Sequence, residues 1–365
     1  MLLWSTNSNN GNETTIRPNA KQVTVRVLKW SAMAIMLGII TFFTLFGIDF
    51  NPHVSLRESF SPPRAEPGPL VSSCFQDYTP EKSENQHFGI IPSVPVVEGD
   101  VCYNYASLLK PVKNIATIYH TFWSSKTRFT EKELAILRSF IATQPSDSYL
   151  YLWVALDDEK KLEKWIHDDR IQVKVISNDL IENTPFTENS WLSQHQEQSN
   201  LLRLATLYKF GGLWFDFNVL FVRDMSPLLS QEWISQSNCL DNTISKGSFL
   251  HFFKSSPYVC EMIAEANQQL KSHTQLRSLG SDLYSLIFSR LLKHKIQTWA
   301  MLPWCYTDPS QCLKSNSLPN AFDNSDFDKS KLSKVFAYTW HRSWNSSPGS
   351  IFKYLVKQHK QNISW

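Results

Sequence analysis

The chain has 365 residues, 42% of them hydrophobic and 13% aromatic, which is enough apolar material for one sizeable core and excludes a disordered protein. Its 36 Lys and Arg stand against 33 Asp and Glu, a net charge of +3. So even a balance excludes an electrostatic case for nucleic acid as a partner.

Residues 1–29 are polar and rich in Asn and Thr, the composition of a short cytoplasmic tail. The uncharged run "WSAMAIMLGIITFFTLFGI", Trp30 to Ile48, is long enough to cross a bilayer as a helix. Lys21, Arg26 and Lys29 crowd its N-terminal side and Asp49 opens the other, so the sequence predicts a retained signal anchor with a cytoplasmic N-terminus. No small-x-small cleavage site follows in "FGIDFNPH". Residues 49–111 carry Pro52, Pro62, Pro63, Pro67, Pro69, Pro80, Pro92 and Pro95 with little periodicity, and read as a stem outside the cytosol. Cys74 and Cys102 in its later part give it a reason to fold back on the core.

From residue 112 to 365 strand patterns alternate with helix patterns. Strands are predicted near 114–123, at 148–156 and at 171–177, with helices at 130–143 and 159–168 between them. A helix over 193–210 leads through Gly211 and Gly212 into a strand over 213–222. Further strands are expected at 247–253, 297–302 and 335–341, and helices at 258–271, 281–294 and 350–359. This rhythm predicts an α/β domain with a mostly parallel sheet. All six cysteines, Cys74, Cys102, Cys239, Cys260, Cys305 and Cys312, lie beyond the anchor and lack CxxC spacing, so disulfides are expected, and Cys305 with Cys312 is the easiest local pair to draw. Two sequons, at Asn345 and Asn362, fall on the same side.

In the stretch "LLRLATLYKFGGLWFDFNVLF", alternation along a single strand puts Leu213, Phe215, Phe217, Val219 and Phe221 on one face and Trp214, Asp216 and Asn218 on the other. A carboxylate among aromatic rings needs a partner. Arg223 or a backbone group is one choice; a hard cation held through oxygen by Asp216 and Asn218, in a crevice at the carboxyl end of the strand, is another. Asn200 and Arg203 share a helix face that can turn to the same crevice.

These residues resemble the DXD-containing family 32 glycosyltransferases and their α-1,4-glycosyltransferase relatives. "SNLLRLATLYKFGGLWFDFN", Ser199 to Asn218, is similar to their "SDLLRxxxLYxxGGxYxDxD" pattern, and "IYHTFW", "YLWVALDD" and "FAYTWHRSW" resemble their first strand, second strand and closing segment. The resemblance implies a GT-A-type nucleotide-sugar-binding fold and transfer of a sugar, with retention, from a UDP- or GDP-sugar to a glycan or glycolipid acceptor. It implies manganese or magnesium as cofactor, and a single-pass type II protein of the Golgi membrane with a lumenal catalytic domain. By the same resemblance His120, Trp123 and Trp344 would contact the nucleotide, and Asn200 with Arg203 the donor sugar. His341 and Ser343 would contact the diphosphate, Asp216, Asn218 and His341 the metal, and Asp216 with Arg203 would carry catalysis. Asp282 lies near the place where relatives contact acceptor. The sequence departs from the pattern twice, with Asn200 and Asn218 where the family has Asp, and both changes remove negative charge from one pocket. A noncatalytic lumenal protein that keeps the fold is the alternative these departures favour.

Overall fold

The structure, a computed structural model, describes residues 20–46, 67–76, 101–113, 115–126, 128–187, 198–236, 239, 247–272, 279–313, 315–341 and 347–363. It divides into two units, Met1–Ala65 and Glu66–Trp365. The first contains helix α1, Ala20–Phe46, whose side chains are described for residues 26–41 and are exposed throughout. Over the described residues no helix is long and apolar enough to cross a membrane. The predicted span Trp30–Ile48 runs past them.

In the second unit the elements are α2 (Val101–Leu108), β1 (Ile118–Phe122), α3 (Glu131–Thr143), β2 (Tyr149–Val154), β3 (Ile171–Val175), α4 (Gln198–Phe210), β4 (Gly212–Phe215), β5 (Val219–Phe221), β6 (Trp233–Ser235), β7 (Phe249–Phe252), α5 (Pro257–Ser272), α6 (Ser281–Lys293), β8 (Ala300–Leu302), β9 (Ala337–Thr339) and α7 (Ser350–Gln361). Short helical turns at Glu159–Leu162, Trp304–Thr307 and Lys329–Lys334 fill the connections. Seven strands form one sheet in the order β3-β2-β1-β4-β7-β6-β8. The pairs β3-β2, β2-β1, β1-β4 and β6-β8 are parallel, and β7 runs antiparallel to both neighbours. The sheet is thus mostly parallel, with helices on both faces.

Local sequence explains the best-defined elements. Thr130 and Glu133 close a capping box at the start of α3, the Thr130 side chain accepting from backbone N–H groups and Glu133 accepting from Thr130 N. On β2, Leu150, Leu152 and Val154 enter the core shared with α3 and α7, while Trp153 points to the core shared with α4, α5 and α6. At the end of α4, Gly211 and Gly212 have φ +68° and +100°. A Cβ on Gly212 would stand 2.1 Å from the Ile118 carbonyl oxygen, so only glycine lets β4 start against β1.

Two sequence expectations change. The strand predicted over 213–222 is two strands in different sheets: β4 lies in the large sheet, and β5 pairs with β9 as a separate ribbon. Asp216–Asn218 bends between them, with Asn218 N donating to Asp216 O at 2.7 Å, because the chain leaves one sheet for the other within three residues. The disulfides are Cys74–Cys260, Cys102–Cys305 and Cys239–Cys312, so Cys305 and Cys312 do not pair with each other. Nearness in sequence misled because each cysteine faces a different neighbouring segment. Two pieces of the later stem pack on this unit, in keeping with the fold-back that Cys74 and Cys102 suggested: Phe75 is buried with α5, and Cys102, Tyr103 and Ala106 of α2 join the core beneath α3.

Candidate functional site

The carboxyl ends of β1 and β4 open on two cavities, the usual place for a ligand in an α/β sheet. Consecutive residues at the end of β1 divide between them: Phe122 lines one and Trp123 the other.

The smaller, about 380 Å³, is bounded by Phe122, Asn200, Arg203, Trp214, Asp216 and Phe217, with Ser199 and Gly280 at its edge. Helix α4 supplies Asn200 and Arg203 one turn apart, and the Nη1 of Arg203 donates to Asn200 Oδ1 at 2.9 Å and to the Tyr284 hydroxyl at 3.0 Å. Its Nη2 donates to Asp216 Oδ1 at 3.1 Å, and the indole of Trp214 gives a second hydrogen bond to the same oxygen at 3.0 Å. Arg203 is 3% exposed, whereas the Asp216 side chain is 40% exposed. Burial works against the guanidinium charge, but Tyr284 and Asp216 outweigh it and lift its pKa above the ordinary arginine value. The partner of Asp216 is therefore Arg203 and not Arg223, which gives its guanidinium to the carbonyls of Ala106, Lys334 and Leu109.

The larger cavity, about 700 Å³, lies on the other side of β1. Trp123, Phe129 and Trp165 form its apolar walls, and Lys126, Arg128, Lys161 and Lys164 its charged ones. Trp123 is 4% exposed, and its Nε1 is buried with no hydrogen-bond partner among the described residues. Phe217 of the smaller cavity meets Phe129 of the larger at 6.2 Å between ring centroids, so the two share a wall.

The predicted site residues fare differently. Asn200, Arg203 and Asp216 come together on one cavity and Trp123 lines the next. His120 lines neither: it is fully buried among Tyr151, Trp153 and Phe210. Trp153 Nε1 donates to its Nδ1 at 3.2 Å, so Nε2 carries the proton and donates to Gly211 O at 2.9 Å. Burial holds this imidazole neutral, its pKa pushed down to about 4, and its work is to tie β1 and β2 to the glycine turn. Ser343, Trp344 and the sequon at Asn345 lie outside the described residues. Asp282 sits in the first turn of α6.

The three predicted metal ligands are not assembled. Only Asp216 lines the smaller cavity, and one of its oxygens is already taken by Arg203 and Trp214. Asn218 gives Nδ2 to Trp340 O at 2.8 Å, while its Oδ1 is enclosed without a hydrogen-bond partner among the described residues. His341 Nε2 lies 2.6 Å from Asp308 Oδ2. Among the described residues no three His, Cys, Asp or Glu side chains gather to hold an ion. One half-committed carboxylate and an enclosed amide oxygen do not fit a divalent cation held by Asp216, Asn218 and His341.

Residues 130–239 match the family described as the glycosyltransferase sugar-binding region containing a DXD motif. That stretch holds α3 through β6 and includes Asn200, Arg203 and Asp216. An uncharacterized protein of Arabidopsis thaliana is 31% identical over 97 residues, which are 27% of this chain and 15% of that protein; the chain therefore spans a small part of the relative's length. Among solved structures, the bifunctional glycosyltransferase WbbM in its apo form superposes with a TM-score of 0.42 and 12% identity, covering 70% of this chain and 51% of that one. The PaToxG glycosyltransferase gives 0.39 and 13%, covering 52% and 74%. The galactosyltransferase LgtC, in complex with donor and acceptor sugar analogues, gives 0.37 and 11%, covering 68% and 97%. All three likenesses are loose.

Sequence reasoning missed Tyr284, which reaches Arg203 from α6, 81 residues away along the chain. It also missed the four basic residues of the larger cavity. Their signal was present: Lys126 and Arg128 follow the end of β1, and Lys161 and Lys164 follow the end of β2.

Proposed function

We propose that this chain is a glycosyltransferase moving a sugar from a nucleotide sugar to a glycan or glycolipid acceptor. The observation that carries this reading is the Asn200–Arg203–Asp216 cluster at a sugar-sized cavity, within the stretch that matches a glycosyltransferase sugar-binding region. The pinned Asp216 offers its exposed side to sugar hydroxyls, and Asn200 adds an amide that both donates and accepts. Arg203, fixed from three directions, supplies a preorganised positive charge beside the anomeric centre. The nucleotide occupies the adjoining cavity, with its base against Trp123 or Trp165.

The test is a panel of UDP- and GDP-sugars offered to the purified chain with glycan and glycolipid acceptors, scoring transfer and donor hydrolysis. Turnover abolished by Asp216→Ala and by Arg203→Leu is the expected result; turnover that survives both substitutions removes the site. The Asn at positions 200 and 218 supports a second reading, a noncatalytic protein that binds the nucleotide sugar. Thermal stabilisation by a nucleotide sugar without turnover is the outcome that selects it.

We place the catalytic unit in the lumen of the secretory pathway, at the Golgi membrane. Three disulfides with no free cysteine among the described residues support an oxidising compartment. The exposed Ile35, Leu37, Ile39 and Ile40 of α1 support an apolar surrounding for that helix and hence a type II anchor. Resistance to carbonate extraction, and a glycosidase-sensitive mobility shift lost in Asn362→Gln, test anchor and topology together. Asn362 is exposed at the end of α7.

A further inference from the structure

We propose that the departing nucleoside diphosphate is neutralised by the side-chain cations Lys126, Arg128, Lys161 and Lys164 in place of a divalent metal; this rests on the glycosyltransferase reading above. When the glycosyl C1–O bond breaks, its electron pair leaves with the β-phosphate. C1 is taken by the acceptor oxygen, and the acceptor proton goes to the departing phosphate oxygen. No oxidant or further reactant is needed, but the charge growing on the diphosphate must be met.

The expected metal ligands cannot meet it, since only Asp216 of the three opens on the cavity. The larger cavity has what they lack. Its volume of about 700 Å³ accommodates a nucleotide, and its shared wall at Phe129 and Phe217 puts it next to the sugar. Its cations arrive on two independent loops, from the ends of adjacent parallel strands. Lys126, Arg128 and Lys164 have no ion-pair partner among the described residues, while Lys161 is paired with Asp158 at 2.7 Å. Glu131, the one acid on the cavity wall, is engaged by Arg138 at 3.1 Å. The indole N–H of Trp123, buried and unpartnered, is a donor in want of an acceptor at that wall. A cleft with this much uncompensated positive charge focuses its field on an anion.

The experiment titrates the 365-residue chain in detergent with UDP, GDP and inorganic pyrophosphate, in excess EDTA and again in manganese. Binding in EDTA within about threefold of that in manganese is expected, as is a loss of about tenfold or more in Arg128→Gln/Lys164→Gln. Both side chains are exposed, so the double variant keeps the fold. Lys353→Gln/Lys357→Gln on α7, which removes the same charge elsewhere, should bind as the parent does. Binding that vanishes in EDTA, or that the double variant leaves intact, overturns the proposal while the glycosyltransferase reading stands. No binding of any of the three probes under either condition overturns both.

Discussion

A guanidinium as deeply buried as that of Arg203 keeps its charge only while its neighbours accept hydrogen bonds from it. Tyr284 is one such neighbour, and Tyr284→Phe removes one acceptor without changing the shape of the site. The expected cost is about 1 kcal/mol of transition-state stabilisation, a five- to tenfold fall in kcat/KM; an unchanged value would show that Tyr284 does not aim Arg203. Asp216→Ala is expected to abolish turnover yet lower stability by only about 1–2 kcal/mol, because its side chain is 40% exposed and water replaces part of what is lost. Denaturant melts of the pure variant check this. The residues of this cavity that were legible in the sequence, Asn200, Arg203 and Asp216, lie within 17 positions of one another. Tyr284 was not legible, because only the packing of α6 against α5 and α4 brings it there. His120 misled for a related reason: its place in a strand is readable, but whether that strand face meets solvent or Trp153 is settled by tertiary contact.

At the scale of elements, periodicity located most strands and helices of the second unit. It failed at 213–222, where alternation continues through a bend that a change of sheet imposes. It also passed over α2, which is short and helical only against the core it helps to close. The glycine turn makes a sharp prediction. Gly212→Ala forces a side chain onto the Ile118 carbonyl at a positive φ, and should cost about 3 kcal/mol or more by separating β4 from β1. A melting temperature unchanged by this substitution would contradict the register of those strands. Replacing Cys102 and Cys305 by Ser should cost about 2–5 kcal/mol and expose residues near 101–111 to limited proteolysis, since that bridge ties α2 down.

For the molecule as a whole, three buried histidines set the acid limit of stability. His120, His251 and His359 are each held neutral by burial, with pKa values pushed down to about 4. Unfolded, each takes a proton near 6.5, so the unfolded chain binds more protons as pH falls from 6.5 towards 4, and stability is lost across that window. Glu232, raised to about 7 by burial, and Asp308, also raised by burial, work in the opposite sense above their ordinary values, but they are two groups against three. Denaturant melts between pH 7 and pH 4 should show a steady decline, shallower in His251→Asn than in the parent. A flat profile would mean that these rings are not buried neutral.

The bridges Cys74–Cys260, Cys102–Cys305 and Cys239–Cys312 are fully interleaved: the first cysteine made joins the fourth, the second the fifth and the third the sixth. No correct pair is possible until residue 260 has been synthesised, so Cys74, Cys102 and Cys239 all emerge before any of their partners. Refolding of the reduced chain is therefore expected to go faster with a disulfide isomerase present than without one, a difference set by the order of its cysteines along the chain.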